Sequence, residues 1–135
     1  VIVVEATVHA PVAKVWEAYT SPEAIVKWNA ASDDWHTTRA TVDLQVGGAF
    51  SSRMEAKDGS MGFDFEGVYT AVEPERRLAY DFGDRKAEVT FSEQDGHTHV
   101  RVAFDPETTH PEDMQRDGWQ AILNNFRAFV ESQSA

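Results

Sequence analysis

Apolar residues change their spacing along this chain, and each change marks an element. Val1–His9 is rich in β-branched residues and reads as a first strand. Pro11 opens a short helix with Val12, Val15, Trp16 and Tyr19 at helical spacing. Ser21-Pro22-Glu23, a capping hydroxyl followed by proline, starts a second short helix bearing Ile25 and Trp28. Asn29 to Thr38 reads as a polar loop that still holds Trp35 and His36. From Arg39 the period becomes two. Val42, Leu44 and Val46 alternate with polar residues until Gly47-Gly48 breaks the run, as a bulge or sharp bend would. Further alternations follow at Phe50/Ser52/Met54, Phe63/Phe65/Tyr69, Leu78/Tyr80/Phe82, Ala87/Val89/Phe91 and Val100/Val102/Phe104. Turns at Asp58-Gly59, Pro74, Gly83-Asp84 and Asp95-Gly96 separate them.

The last stretch, His110 through Glu131, reads as one long helix. At ~100° per residue, Gly118, Trp119, Ile122, Leu123, Phe126, Phe129 and Val130 share one arc. Pro111 suits its first position, and Glu112 and Asp113 put negative charge where the helix dipole favours it. Burying the large side chains of that arc at roughly 1.5–3 kcal/mol each is worth on the order of 10–15 kcal/mol, so the helix needs a large apolar partner. Gln115 interrupts the arc one turn before Trp119. A buried amide requires a partner. It is either satisfied by its neighbours or water at the helix entrance, or serves as a polar probe in an enclosed pocket.

Hairpin-length turns favour an antiparallel meander, and one apolar face per strand demands a cover that only the last helix is long enough to provide. The expected fold class is therefore α+β, in β-α-α-β6-α order. A curved antiparallel sheet would wrap around the long C-terminal helix, with an apolar hollow where sheet and helix diverge.

Composition narrows the function. The 135 residues suit a single domain over 1–135, and 8 Phe, 4 Trp and 3 Tyr argue against disorder. With no Cys there is no disulfide framework, thiolate metal site or cysteine nucleophile, which is compatible with a cytoplasmic protein. A formal charge of −11 without a basic patch excludes nucleic acid as a partner. No run of apolar residues is long enough to span a membrane, and Val1 to Val8 lack the layout of a secretory signal.

The element order resembles the helix-grip, START-like (SRPBCC) superfamily, which includes the birch-pollen allergens (Bet v 1-like) and the polyketide cyclases. Within it, Asp43-Leu-Gln-Val-Gly47-Gly48-Ala-Phe50, Gly67-x-Tyr69 before Pro74, Arg77-Leu78 and Gly118-Trp119 resemble the group named after the activator of heat-shock protein 90 ATPase. Asp34-Trp35-His36, Arg53 to Ser60, Gly62-Phe-Asp-Phe65 and Met114-Gln115 with Gly118 to Leu123 are similar to a set of small bacterial proteins in that group. Gln45 departs from the pattern, standing where relatives often carry Arg. The resemblance covers essentially the whole chain and implies the helix-grip fold. It leaves function open, because this fold hosts carriers, cyclases, hydrolases and chaperone regulators.

Three functions are weighed. The first is a binding module for a small hydrophobic or amphipathic molecule, monomeric or homodimeric and without cofactor. Its hollow would be walled by Trp35, Phe50, Met54, Phe63, Phe65, Tyr80, Trp119, Leu123 and Phe126, with Gln115 and His36 orienting the ligand's polar end. The second is a cyclase- or hydratase-like enzyme in which His36 and an acid from Asp34, Asp64 or Glu66 shuttle protons. The third, implied by the family's name, is a chaperone-regulating interaction protein. Against the second stands a plainer reading: His36 as a surface histidine, and Arg53, Glu55, Asp64 and Glu66 as cross-strand pairs on the outer face. His97 and His99 face one way on a strand but lack an evident third ligand, so no metal is expected. His110 ends the loop before the last helix, with Glu107 near the pocket mouth. No phosphate loop or nucleophile elbow is present.

Overall fold

The computed structural model describes residues 1–133; the last two residues of the expected 1–135 domain lie outside the described residues. Its elements are β1 (Ile2–Val8), α1 (Val12–Thr20), α2 (Pro22–Trp28), β2 (Trp35–Val42), β3 (Ala49–Ala56), β4 (Gly62–Glu73), β5 (Arg77–Phe82), β6 (Arg85–Gln94), β7 (His97–Phe104) and α3 (Glu112–Gln133). The strands form one antiparallel sheet in the order β1-β7-β6-β5-β4-β3-β2, so β1 and β2 are its edges. The sheet is a half-barrel closed around the C-terminal helix, the helix-grip α+β arrangement.

Period-two alternation explains which face packs. Ile2, Val4, Ala6 and Val8 of β1 are buried, as are Ala87, Val89 and Phe91 of β6 and Val100, Val102 and Phe104 of β7. Against this concave face α3 lays Leu123, Phe126 and Val130, each nearly or fully buried. α1 and α2 close one end. The Trp28 indole donates to the Ala18 carbonyl at 2.9 Å, tying the two helices together. Glu93 of β6 accepts the Val12 N–H, satisfying a donor that the first turn of α1 leaves free. Among the described residues no enclosed side-chain nitrogen or oxygen lacks a partner.

Two details depart from the expected elements. The strand expected from Arg39 begins at Trp35, because Trp35 and Thr37 already pair with Ala56 and Met54 of β3. The register slips between Thr37 and Arg39, and this bulge interrupts the alternation that would have revealed the strand. At its other end β2 stops at Val42, and Leu44 and Val46 are 38% and 66% exposed. Residues 43–48 are a turn, closed by Asp43 N–H to Ala49 O at 3.0 Å and Gly48 N–H to Gln45 O at 2.8 Å. A Cβ on Gly48 would collide with the Asp43 carbonyl, so the turn needs glycine there.

Candidate functional site

Sheet and helix separate on the β2–β5 side and leave a cavity of about 290 Å³. Its wall is assembled in layers. β3 and β4 contribute Phe50, Ser52 and Met54 opposite Phe63, Phe65 and Tyr69, and β5 adds Leu78 and Tyr80. α3 faces them with Trp119, Ile122 and Leu123, while α1 and α2 supply Tyr19, Ile25 and Trp28. The rings support one another. Phe50 packs against Tyr80 with centroids 4.9 Å apart, Phe65 lies 6.2 Å from Trp119, and Trp119 stacks on Phe104 at 3.9 Å. Gly67 is what lets Phe50 lie across β4: a Cβ there would sit 2.6 Å from the Phe50 ring. Phe63 lines the cavity yet is 48% exposed, which marks where the hollow meets solvent.

Polar groups on this wall are few. The 3 tyrosines of the protein, Tyr19, Tyr69 and Tyr80, all line it. Among the described residues none of their hydroxyls has a hydrogen-bond partner, and because no enclosed polar atom is left unsatisfied, each must face open space. Burial raises all three phenols, Tyr69 to about 12 and the other two further. A charge on Tyr69 would also oppose ionisation of Tyr19, and a charge on either would oppose that of Tyr80. They are neutral donors at any physiological pH. Tyr69 is held by the glycine turn: Gly47 N–H donates to Tyr69 O at 2.8 Å and Tyr69 N–H to Gly48 O at 2.9 Å. Ser52 and Arg85 complete the polar set together with Asn29 and Thr41.

Of the residues expected around the hollow, Phe50, Met54, Phe63, Phe65, Tyr80, Trp119 and Leu123 lie on its wall. The others do not. Phe126 is fully buried one turn further along α3, against Tyr19 at 5.1 Å and Trp28 at 4.9 Å, because the apolar arc of α3 outruns the cavity and meets α1 and α2. Gln115 is buried but turned to the loop before α3. Its Oε1 accepts the Glu107 N–H at 2.9 Å, and its Nε2 donates to Glu107 O at 3.1 Å and His110 O at 2.8 Å. Its amide is fully engaged and is no probe of the pocket. Trp35 packs against Phe63 at 6.0 Å, outside the lining.

The acid–base candidates sit on the wrong face. Trp35 points inward, so His36 beside it points out, opposite Glu55. Asp64 pairs there with Arg53 at 3.5 Å, and Arg53 with Glu55 at 3.1 Å. Glu66, two residues on from Asp64, shares that outer face and is exposed. Asp34 is exposed and accepts from Ser32. His99 pairs with Glu5 at 2.8 Å, His97 stacks on His9 at 4.3 Å, and His110 pairs with Glu107. The described residues contain no cluster of three metal-ligating side chains. Tyr19, Tyr69 and Arg85 escaped the sequence reading. In a single sequence, a tyrosine at core spacing and an arginine after a Gly-Asp turn carry no sign of a pocket.

A family model described as Activator of Hsp90 ATPase homolog 1-like protein matches residues 9–131. The chain belongs to this family. Solved structures agree over nearly the whole length. An AHSA1-like protein from Aeromonas hydrophila is 44% identical with TM-score 0.90, over 98% of this chain and 94% of that one. A protein from Cytophaga hutchinsonii is 45% identical with TM-score 0.83, over 98% and 93%. One from Chromobacterium violaceum is 25% identical with TM-score 0.86, over 96% of each chain. No curated protein matches the chain. Among the described residues, no helix is long and apolar enough to cross a membrane.

Proposed function

We propose that this member of the family binds a small hydrophobic or amphipathic molecule in the cavity between the curved sheet and α3. The observation that carries the reading is the volume of about 290 Å³ left between aromatic walls. At ~24 cal/mol per Å³, leaving 290 Å³ unpacked forgoes up to ~7 kcal/mol. That is comparable to the whole net stability of a domain, ~5–15 kcal/mol. The volume is roughly twice the ~150 Å³ that takes a benzene ring, so the occupant is a one- or two-ring molecule or its aliphatic equivalent. Binding, rather than turnover, is favoured because every candidate proton shuttle lies on the outer face or in an exposed loop, while the cavity itself offers neutral phenols.

Native mass spectrometry of gently purified protein, set against its denatured mass, tests this. The expected result is a reproducible extra mass lost on denaturation. In parallel, 2-naphthaleneethanol should shift the Trp119 indole N–H resonance in an NMR titration. An unchanged mass together with an unmoved Trp119 would overturn the reading.

A further inference from the structure

Three arginines are half-buried: Arg53, Arg77 and Arg85. Two of them are neutralised twice over. Arg53 meets Glu55 and Asp64, and Arg77 meets Glu73 and Glu88. Arg85 has no carboxylate within ion-pair distance among the described residues, in a protein that carries 23 acidic side chains. The neighbouring acids are already engaged. Asp105 accepts the Lys86 N–H with its carboxylate at 2.9 Å and gives Arg85 only its backbone carbonyl, at 3.0 Å from Nε. Glu107 pairs with His110 and Asp81 with Lys86; the Glu107 carboxyl, held low first by its bond to His110, also feels the Arg85 charge, but without an ion-pair contact.

Its direction matters as much as its lack of an ion pair. Arg85 pairs across the hairpin with Phe82, and directly opposed residues project to the same face, so Arg85 belongs to the concave side with Phe82 and Ala87. The guanidinium lies over the Phe82 ring, 4.5 Å from its centroid, and lines the cavity. Nε is spent on Asp105, which leaves the two terminal nitrogens as an end-on fork. A half-buried guanidinium with no carboxylate in contact is costly unless something supplies one. A carboxylate fits that fork bidentately. It would also place its oxygens in a cavity whose tyrosine hydroxyls are unpartnered.

We propose that the ligand is an amphipathic acid, with its apolar body against Phe50, Phe65 and Trp119 and its carboxylate on the terminal nitrogens of Arg85. This rests on the cavity-binding reading above. It has a sign that the rest of the molecule opposes, since a formal charge of −11 repels an anion in general. Without a dedicated cation the protein would therefore prefer a neutral ligand to the matching acid.

The test compares 2-naphthylacetate with 2-naphthaleneethanol, which share the ring system and differ at the head group, by NMR titration of the intact chain. The expected result is about tenfold tighter binding of the acid, the worth of one charge-assisted hydrogen bond. That preference should shrink as salt is raised and vanish in Arg85→Gln. Equal affinities, or a preference for the alcohol, would overturn the acid assignment while leaving cavity binding intact. Failure of both probes to bind would overturn both. The comparison on the unmutated protein stands even if Arg85→Gln loosens the loop held by its bond to Asp105.

Discussion

A buried amide and a buried phenol call for opposite treatment, and Gln115 and Tyr69 show why. Gln115 closes three hydrogen bonds to the chain just before α3, so it fixes the entry of the helix that covers the sheet. Gln115→Ala should strip partners from the Glu107 N–H and the Glu107 and His110 carbonyls. A destabilisation of ~1–3 kcal/mol is expected in a denaturant titration, larger than for an exposed glutamine of the same helix. The tyrosines, by contrast, are held by packing and leave their hydroxyls free. Their raised folded-state pKa values set the sign of the alkaline response. An unfolded chain releases phenolic protons near pH 10. The folded protein keeps them, Tyr69 until about 12. The stability this contributes is fully present below about pH 10 and is lost as pH rises through the folded values. Because all 3 tyrosines are affected, no ordinary phenol masks the effect. Phenolate absorbance should therefore stay absent in the folded protein at pH values where a denatured sample already shows it.

At the scale of elements, legibility followed the length of the periodic signal. α3 could be read almost to its ends because its apolar arc persists over Trp119, Ile122, Phe126 and Val130. The strands from Phe50 to Phe104 were nearly as plain, since inward and outward residues alternate along them except at the register shift between Tyr69 and Ala71 in β4. β2 differs from its sequence pattern at both ends for physical reasons. A bulge after Thr37 hides its start, and Leu44 and Val46 continue its alternation into a turn where neither packs inward. The cavity wall was half legible for the same cause. Positions on β3, β4 and α3 follow from period and face, whereas Tyr19 and Arg85 reach the site only through where the fold places α1 and the start of β6. The Gly47-Gly48 turn links these levels, being bonded on both sides to the Tyr69 backbone. Gly48→Ala would drive a methyl into the Asp43 carbonyl. It should cost ~1–3 kcal/mol in unfolding experiments. It should also shift the Tyr69 ring resonances, which a defect confined to the turn would leave in place.

For the molecule as a whole, the proposed binding role sets the cavity against stability. One end of the half-barrel, under β1, β6, β7 and the second half of α3, is packed with side chains that are essentially inaccessible, such as Val8, Val89, Val100, Phe104 and Phe126. The other end gives up that packing around an apolar hollow with unpartnered hydroxyls. Such an arrangement persists when the vacant volume is what the protein is for. Ser52 offers the sharpest test. It is 5% exposed, lies on the cavity wall opposite Phe65, and its hydroxyl has no partner among the described residues. Ser52→Leu replaces that hydroxyl with an apolar group that extends into empty space rather than into packed neighbours. The expected gain is ~0.5–2 kcal/mol in unfolding free energy, in the range of other cavity-filling substitutions. The same change should weaken 2-naphthaleneethanol by about tenfold or more, since a methylene-sized clash already costs ~1–3 kcal/mol in a fitted pocket. Calorimetric melting and NMR titration on the same sample measure both. Gain and loss together would mean that natural packing at Ser52 is held open for a ligand. A variant that is stabilised and still binds would place the ligand elsewhere on the wall, and one that is destabilised would show the hollow to be smaller than 290 Å³ in solution.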